Sequence, residues 1–181
     1  MTDTSHPVPG DPSRTEQTER AIRVDHAGEY GAARIYAGQL AVLGRGQSGD
    51  TLRHMQAQEA AHLRTFSDLV ADRRVRPTVM LPFWHVAGFA LGAVTAALGA
   101  KAAMACTVAV EETIDAHYRQ QIETLTDEPA LCETIERFRQ EEVEHRDIGL
   151  AHGAEQAPAY RLLTRMIKAG CKAAIAVSER I

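Results

Sequence analysis

The sequence predicts an all-α protein: a bundle of four amphipathic helices with an apolar insert and an additional amphipathic helix at the C-terminus. Two observations predict this fold class. Helix-forming residues such as Ala, Leu, Glu and Arg are abundant, whereas aromatic residues make up only 5% of the 181 residues, a composition that favours helices over sheets. Apolar residues also recur at steps of three and four in four separate segments, without the strict alternation of a strand.

The overall charge and the cysteines narrow the functional class. The net charge is −4 and there is no long basic run, which argues against a nucleic-acid partner. The three cysteines form no C-x-x-C pair, so free thiols in a reducing compartment are the simplest interpretation. Residues 1–14 are polar and resemble neither a signal peptide nor an Arg-rich transit peptide. We expect a disordered lead-in there, followed by a single domain over residues 15–181.

The first two predicted helices form a hairpin. The first begins near Thr15, and the "GRGQSGD" turn ends it. Its inward face runs through Ile22, His26, Glu29, Ala33, Tyr36, Leu40 and Leu43. The inward face of the second helix runs through Leu52, Met55, Glu59, His62, Phe66 and Leu69. "RRVRP" closes this second helix.

An apolar insert separates this hairpin from the next two helices. The 24 residues from Pro77 to Ala100 contain no Asp, Glu, Lys or Arg. A third amphipathic helix is predicted from about Lys101 to Leu125, and "TDEP" ends it. The fourth has an inward face through Leu131, Ile135, Phe138, Glu142, His145 and Gly149. "EQAP" ends the fourth helix, and the last amphipathic helix is predicted over about 158–181.

The acidic stretch "EEVEHRDIGL" of the fourth helix raises the question of a metal site. Glu142 and His145 continue the apolar face, whereas Glu141 and Glu144 point elsewhere and are interpreted as solvated. An unpaired carboxylate on the buried face would be costly. The second helix repeats the pattern, with Glu59 in the same Glu-x-x-His spacing on its apolar face.

A lone inward glutamate precedes each Glu-x-x-His motif. Glu29 lies 30 residues before Glu59, and Glu111 lies 31 before Glu142. Glu111 is chosen over Glu112 because its helix face is apolar, whereas the face through Glu112 carries charged residues. The two halves echo each other again, because a tyrosine follows each lone glutamate by seven residues, at Tyr36 and Tyr118.

Two lone glutamates and two Glu-x-x-His motifs on four helices are the ligand set of carboxylate-bridged dimetal bundles. Four carboxylates balance two divalent ions, which makes their burial tolerable. Oxygen donors with two imidazoles and no thiolate suit iron or manganese better than an Fe–S cluster. The alternative is that these residues are ordinary solvated glutamates and hydrogen-bonded core histidines.

Several longer stretches resemble the demethoxyubiquinone hydroxylase family of ubiquinone biosynthesis. They are "RVDHAGEYGA", "QEAAH", "RPTVMLPFWHVAGFALGA", "MACTVAVEETIDAHY" and "EEVEHRDIGLAHGAEQAPAY". The resemblance covers about residues 20 to 181. It implies a ferritin-like di-iron monooxygenase that uses O₂ to hydroxylate the ring of a demethoxyquinone with a polyprenyl tail.

The resemblance also implies a site and partners. The family's ligands to two iron ions correspond to Glu29, Glu59, His62, Glu111, Glu142 and His145. Glu59 and Glu142 would bridge the metals, Glu29 and Glu111 would be terminal, and His117 and Tyr118 would lie close to them. NADH is the implied electron donor, although no G-x-G-x-x-G motif follows a predicted strand, as a Rossmann site that binds it would require. A lipid-binding accessory protein is a further implied partner.

The apolar insert and the last helix predict contact with a membrane surface. The insert is long enough to span a bilayer, but Glu59 precedes it and Glu111 follows it, and both must reach one site. We therefore expect an interfacial hairpin with Trp84 near the headgroups. The last helix carries a basic stripe, interpreted equally well as a solvated face or as contact with anionic lipid. The expected location is the cytoplasmic face of a bacterial-type inner membrane, as a peripheral protein.

Three other functions are compatible with part of the pattern. A different di-iron oxidase, such as a rubrerythrin-like peroxidase, would lack its usual Cys₄ module here and would leave the apolar insert unexplained. A ferritin-type iron store would meet the same difficulty with the insert. A metal-free helical scaffold would leave four inward carboxylates without partners.

Overall fold

The structure, a computed structural model, describes residues 12–181 and contains no strand in that range. Its elements are α1 (Arg14–Leu43), α2 (Gly49–Asp72), α3 (Leu81–Ala97), α4 (Ala100–Thr124), α5 (Pro129–Ala151), a 3₁₀ turn (Ala154–Gln156) and α6 (Tyr160–Ser178). The predicted all-α fold is confirmed. The expected lead-in lies outside the described residues except at its end, where Ser13 caps α1 and Arg14 is the first helical residue.

Two hairpins form the bundle, and each carries one further helix. α1 packs on α2, and α4 packs on α5, as the short connections between them require. α1 also contacts α4, which joins the two hairpins. α3 lies along α1 on the outside of the bundle, and α6 lies along α4. This is a ferritin-like arrangement with an added layer of two helices.

The helix ends follow from local sequence. Ser13 and Glu16 form a capping box at the start of α1: the Ser13 hydroxyl accepts from the Glu16 amide at 3.2 Å, and the Glu16 carboxylate accepts from the Ser13 amide at 2.7 Å. Pro129 begins α5, where a missing amide proton costs nothing. Gly99 joins α3 to α4 with a φ of 114°, a conformation that a side chain would strain.

The apolar insert forms the single helix α3 and not a hairpin, so the expected shape of the insert is wrong, while its interfacial position stays a prediction. The glycines that interrupt its pattern are its contact surface with α1. A Cβ on Gly92 would lie 1.9 Å from the Ile35 carbonyl oxygen, and one on Gly38 would lie 2.1 Å from the Phe89 carbonyl oxygen. The two backbones therefore touch, which only glycine permits. Within residues 12–181, no helix has both the length and the apolar character needed to cross a membrane.

Two apolar clusters fill the bundle, one towards each end. One contains Ile22, Phe66, Tyr118, Leu131, Ile135 and Phe138, and the other contains Tyr36, Leu52, Met55, Met104 and Val108. Each of α1, α2, α4 and α5 contributes to both clusters or packs against them. The predicted metal ligands lie between the clusters on all four helices, so the core encloses the site from both ends.

Candidate metal centre

The structure brings all six predicted metal ligands together at the centre of the bundle. They are Glu29 on α1, Glu59 and His62 on α2, Glu111 on α4, and Glu142 and His145 on α5. None is more than 1% exposed. The neighbouring Glu112 is half-exposed and pairs with Lys168 on α6, so the choice of Glu111 by helix face agrees with its burial.

These residues form two groups that could each hold a metal ion. One group is Glu29, Glu59, His62 and Glu142, and the other is Glu59, Glu111, Glu142 and His145. Within each group the potential ligand atoms lie within 4.8 Å of one another. Glu59 and Glu142 belong to both groups, so their carboxylates lie where two adjacent ions would share them.

The two imidazoles point the same nitrogen towards the shared carboxylates. His62 Nδ1 lies 3.2 Å from Glu142 Oε1 and 3.4 Å from Glu29 Oε2. His145 Nδ1 lies 3.0 Å from Glu59 Oε1 and 3.2 Å from Glu142 Oε2. Each Glu-x-x-His motif therefore contributes its glutamate to both groups and its histidine to one of them.

The donor atoms of the site fit a pair of metal ions. Among residues 12–181, thirteen buried side-chain nitrogen and oxygen atoms lack an aligned hydrogen bond, and eight of them belong to these six residues. Both oxygens of Glu59 and of Glu142 are among the eight, as is Nδ1 of each histidine. Buried polar atoms are normally paired. Two metal ions bound at this site would provide partners for these unpaired oxygen and nitrogen atoms.

Without metal, the site perturbs the pKa of its own groups. Burial raises the pKa of Glu59 and Glu111 well above the usual range, and the charge of Glu142 adds to the effect. Burial alone would lower the pKa of His62 and His145, but the close carboxylates of Glu142 and of a second glutamate reverse the shift and raise it. The metal-free site therefore retains protons that two cations would displace.

Two tyrosines link the halves of the site. Tyr118 on α4 donates a short hydrogen bond to Glu29 Oε1 on α1. Tyr36 on α1 donates to Glu111 Oε1 on α4 at 2.9 Å. The seven-residue echo in the sequence thus corresponds to a crossed pair, in which each tyrosine holds the lone glutamate of the other hairpin. Of these two tyrosines, only Tyr118 was assigned a role from the sequence, although the equal seven-residue spacing also pointed to Tyr36.

His117 lies one layer further out than Tyr118. Its Nε2 lies 3.0 Å from the Gln121 amide nitrogen and 3.7 Å from Asp25 Oδ1, and Gln121 itself donates to Asp25 at 2.8 Å. Burial lowers the pKa of His117 to about 4, so the ring is neutral at neutral pH. Its contacts are with this outer group and not with the six predicted ligands.

The remaining ring nitrogen of each histidine ligand has a partner across the bundle. His62 Nε2 lies 2.9 Å from Glu141 Oε2, and His145 Nε2 lies 3.0 Å from Gln58 Oε1. The interpretation of Glu141 as a solvated outer acid is therefore wrong. The helix face of Glu141 does point away from α5's own stripe, but its side chain is long enough to reach α2, which a one-helix argument does not detect.

An apolar cavity of about 460 Å³ lies beside the site, between α3 and α6. The α1 and α4 residues that form its floor include Gly28 and Val110, the direct neighbours of Glu29 and Glu111. Trp84 lines the cavity and donates to Ser178 at 3.2 Å, so its indole faces α6. The expected position of Trp84 near the headgroups stays a prediction. The cavity is partly open and almost wholly apolar, which suits a hydrophobic molecule.

Residues 16–178 match the model of the family described as ubiquinone biosynthesis protein COQ7. The chain is 62% identical over 176 residues to a 3-demethoxyubiquinol 3-hydroxylase of Rhodospirillum rubrum, covering 96% of this chain and 83% of that protein.

Two mitochondrial proteins extend the comparison to eukaryotes. The NADPH-dependent 3-demethoxyubiquinone 3-hydroxylase of Bos taurus is 59% identical over 171 residues, 92% of this chain and 79% of its own. The 5-demethoxyubiquinone hydroxylase of Saccharomyces cerevisiae is 40% identical over 181 aligned positions, 90% of this chain and 78% of its own. The family match spans almost the whole helical region, and so this chain belongs to the COQ7 family of ubiquinone biosynthesis proteins.

Proposed function

We propose that this chain is a di-iron monooxygenase that hydroxylates the ring of a demethoxyubiquinone or demethoxyubiquinol. The observation that supports the proposal is the pair of buried Glu/His groups that share Glu59 and Glu142 and lie beside an apolar cavity. The names of the relatives supply the substrate class. Two ferrous ions held by these groups would supply the electrons and the open positions that activation of dioxygen requires.

The residues around the ions would orient them and exclude water. Glu59 and Glu142 would bridge, while Glu29 and Glu111 would each bind one ion with a second oxygen held by a tyrosine hydroxyl. Tyr118 is the residue best placed to hold a proton at the Glu29 carboxylate, because its hydroxyl donates to Glu29 Oε1. We assign His117 a supporting role in that outer group.

The cavity would receive the quinone. Its floor is one residue away from Glu29 and from Glu111, so a ring bound deep in the cavity approaches the terminal ligands. A polyprenyl tail would leave through the partly open side between α3 and α6. The apolar walls of the cavity would exclude water, which strengthens the electrostatic interactions of the site and limits side reactions.

The outer surfaces of α3 and α6 support a peripheral membrane position. Exposed large apolar residues are concentrated there: Phe83, Val86, Val94, Leu98, Leu162 and Met166 are all more than half exposed. Exposed apolar residues concentrated in this way are typical of an interaction face. The basic residues Arg161, Arg165 and Lys172 of α6 are also exposed and would favour anionic headgroups. The cytoplasmic inner-membrane face and a lipid-binding accessory protein stay predictions.

The electron donor would be a reduced nicotinamide nucleotide. The family resemblance implies NADH, whereas the names of the mitochondrial relatives specify NADPH. Both nucleotides deliver a hydride of the same chemistry and differ in one phosphate. Parallel assays with the two nucleotides decide which of them this chain uses.

The test is a hydroxylation assay with isotope-labelled O₂. Iron-loaded protein in lipid is given a demethoxyquinone and either reduced nicotinamide nucleotide, and the product is analysed by mass spectrometry. The proposal predicts one oxygen atom from O₂ in the ring hydroxyl. If iron is oxidised with O₂ or peroxide and the quinone is unchanged under every reductant, the chain is a different di-iron oxidase or an iron-binding bundle.

A further inference from the structure

The residue before each Glu-x-x-His motif reaches across the bundle to the other motif. Gln58 immediately precedes Glu59, and Glu141 immediately precedes Glu142, so the two occupy equivalent positions in the two hairpins. Gln58 nevertheless accepts from His145, and Glu141 accepts from His62. The two hairpins thus make equivalent contacts with the histidines, but the accepting group is an uncharged amide in one hairpin and a carboxylate in the other.

A single carboxylate oxygen, Glu141 Oε2, links these two contacts to each other. Glu141 Oε2 lies 2.9 Å from His62 Nε2 and 3.5 Å from the Gln58 amide nitrogen. Gln58 Oε1 in turn lies 3.0 Å from His145 Nε2. The chain of contacts therefore runs from His62 through Glu141 and Gln58 to His145, and it connects α2 with α5 on one side of the site.

The hydrogen-bonding capacity of these groups fixes where the protons lie. An ionised carboxylate can only accept, so the amide group of Gln58 must turn its NH₂ towards Glu141. Its oxygen then faces His145 and requires a proton on His145 Nε2. His62 likewise donates from Nε2 to Glu141. In the neutral form of each ring, which metal binding requires, Nδ1 is therefore the unprotonated nitrogen, and it is the one that faces the shared carboxylates.

We propose that Glu141 is a positioning residue for both metal-ligating histidines, directly for His62 and through the Gln58 amide for His145. The unequal partners also make the two metal positions inequivalent. A carboxylate acceptor increases the basicity of an imidazole more than an amide does, so the position next to His62 binds its ion more tightly. This inference rests on the proposed dimetal function, because it assigns the two histidines as ligands.

The environment of Glu141 fits such a role better than that of a surface acid. Its side chain is 31% exposed, yet the partner it holds, His62, is only 1% exposed. The His62 ring is also stacked on Phe138 with 4.0 Å between ring centroids. Packing thus limits the tilt of the ring, and Glu141 fixes its rotation and its tautomer. Glu144, three residues further along α5, is exposed and provides a matched control.

The test is a titration of the metal-free full-length protein with Co²⁺, followed by visible absorption and calorimetry. The wild-type chain should bind two ions in two distinguishable steps. Glu141→Ala should weaken binding by about 10- to 100-fold, mainly at the tighter step. Glu141→Gln keeps an acceptor for His62 but makes the two partners alike, so the two affinities should converge. Glu144→Ala should behave as wild type.

Mössbauer spectra of the iron-loaded proteins provide a second measurement that does not depend on activity. Two ferrous signals in the wild type should become one in Glu141→Gln. A wild-type chain that binds two ions while both Glu141 variants retain its affinities and its two signals overturns the inference and leaves the dimetal site standing. A wild-type chain that binds no metal overturns both. If Glu141→Ala only lowers the melting temperature of the metal-free protein, Glu141 is a structural residue and the inference is wrong.

Discussion

Replacing Glu142 with alanine is the most informative single change, because both histidines approach this carboxylate. Its two oxygens lie 3.2 Å from His62 Nδ1 and 3.2 Å from His145 Nδ1, and the residue is fully buried. Four glutamates balance two divalent ions, so the variant would bury one uncompensated positive charge. Leaving one member of a buried ion pair without its partner costs about 3–5 kcal/mol. That loss corresponds to a metal affinity about 150- to 4,000-fold weaker.

The same loss has a consequence for thermal stability. At a free metal concentration about 1,000 times the wild-type Kd, binding at one site stabilises the folded state by about 4 kcal/mol. At that concentration, the stabilisation of the variant falls to about 1 kcal/mol or less. For a chain of this length, 1 kcal/mol corresponds to about 2–4 °C in Tm. The metal-induced rise in Tm should thus be about 8–16 °C in the wild type and below about 4 °C in Glu142→Ala.

The assay is differential scanning fluorimetry with and without Fe²⁺ under anaerobic conditions, together with metal analysis of the desalted protein. Glu144→Ala, a change of the same kind on the exposed face of α5, should match the wild type in both measurements. If Glu142→Ala retains two metal ions and the full wild-type rise in Tm, Glu142 is not a ligand and the proposed bridging pair is wrong.

Three further predictions concern packing, pH and the membrane. In Gly92→Ala, the new Cβ would lie 1.9 Å from the Ile35 carbonyl oxygen; we expect a loss of about 1–3 kcal/mol in a thermal melt, and no loss in Gly170→Ala, where a Cβ meets open space. The pKa values of Glu59, Glu111, His62 and His145 are all raised, so metal-free folded protein holds more protons than unfolded protein, and its free energy of unfolding should fall between about pH 6 and pH 8. The metal-induced rise in Tm should therefore be larger at pH 8 than at pH 6. An equal rise at the two pH values would contradict the burial of unpaired carboxylates. Replacing the exposed Phe83 and Val86 with serine should reduce liposome flotation without changing iron content, since burying such side chains contributes about 1.5–3 kcal/mol each; unchanged flotation would show that α3 does not carry the membrane contact.

The six buried residues of the candidate metal centre could be chosen from the sequence because burial imposes a strict pattern on polar residues. Glu59, His62, Glu142 and His145 continue apolar stripes of their own helices, and that position alone distinguishes them from acids on the outer faces. The same argument separates Glu111 from Glu112. The structure buries the first and pairs the second with Lys168 at the surface. The helix face on which each residue lies was sufficient to choose these positions, because all six side chains point towards the centre of the bundle.

The partners of the ligands could not be predicted in this way, because they depend on how two helices are placed against each other. Glu141 and Gln58 lie off the central stripe of their own helix and reach a histidine of the opposite one. The path of the apolar insert was missed for a related reason. Glycines at 88 and 92 suggest breaks in an isolated segment, whereas against α1 they provide the close contact that makes α3 one continuous helix.

The measurement that tests the account most directly is the iron content of the purified chain, determined beside its hydroxylation activity on a demethoxyquinone. We expect two iron ions per chain and product formation that is lost when the metal is removed and recovered when Fe²⁺ is restored. A chain that hydroxylates the quinone at full rate without metal, or one that holds a single ion with Glu59 and Glu142 unbound, would contradict the dimetal site on which the proposed function depends.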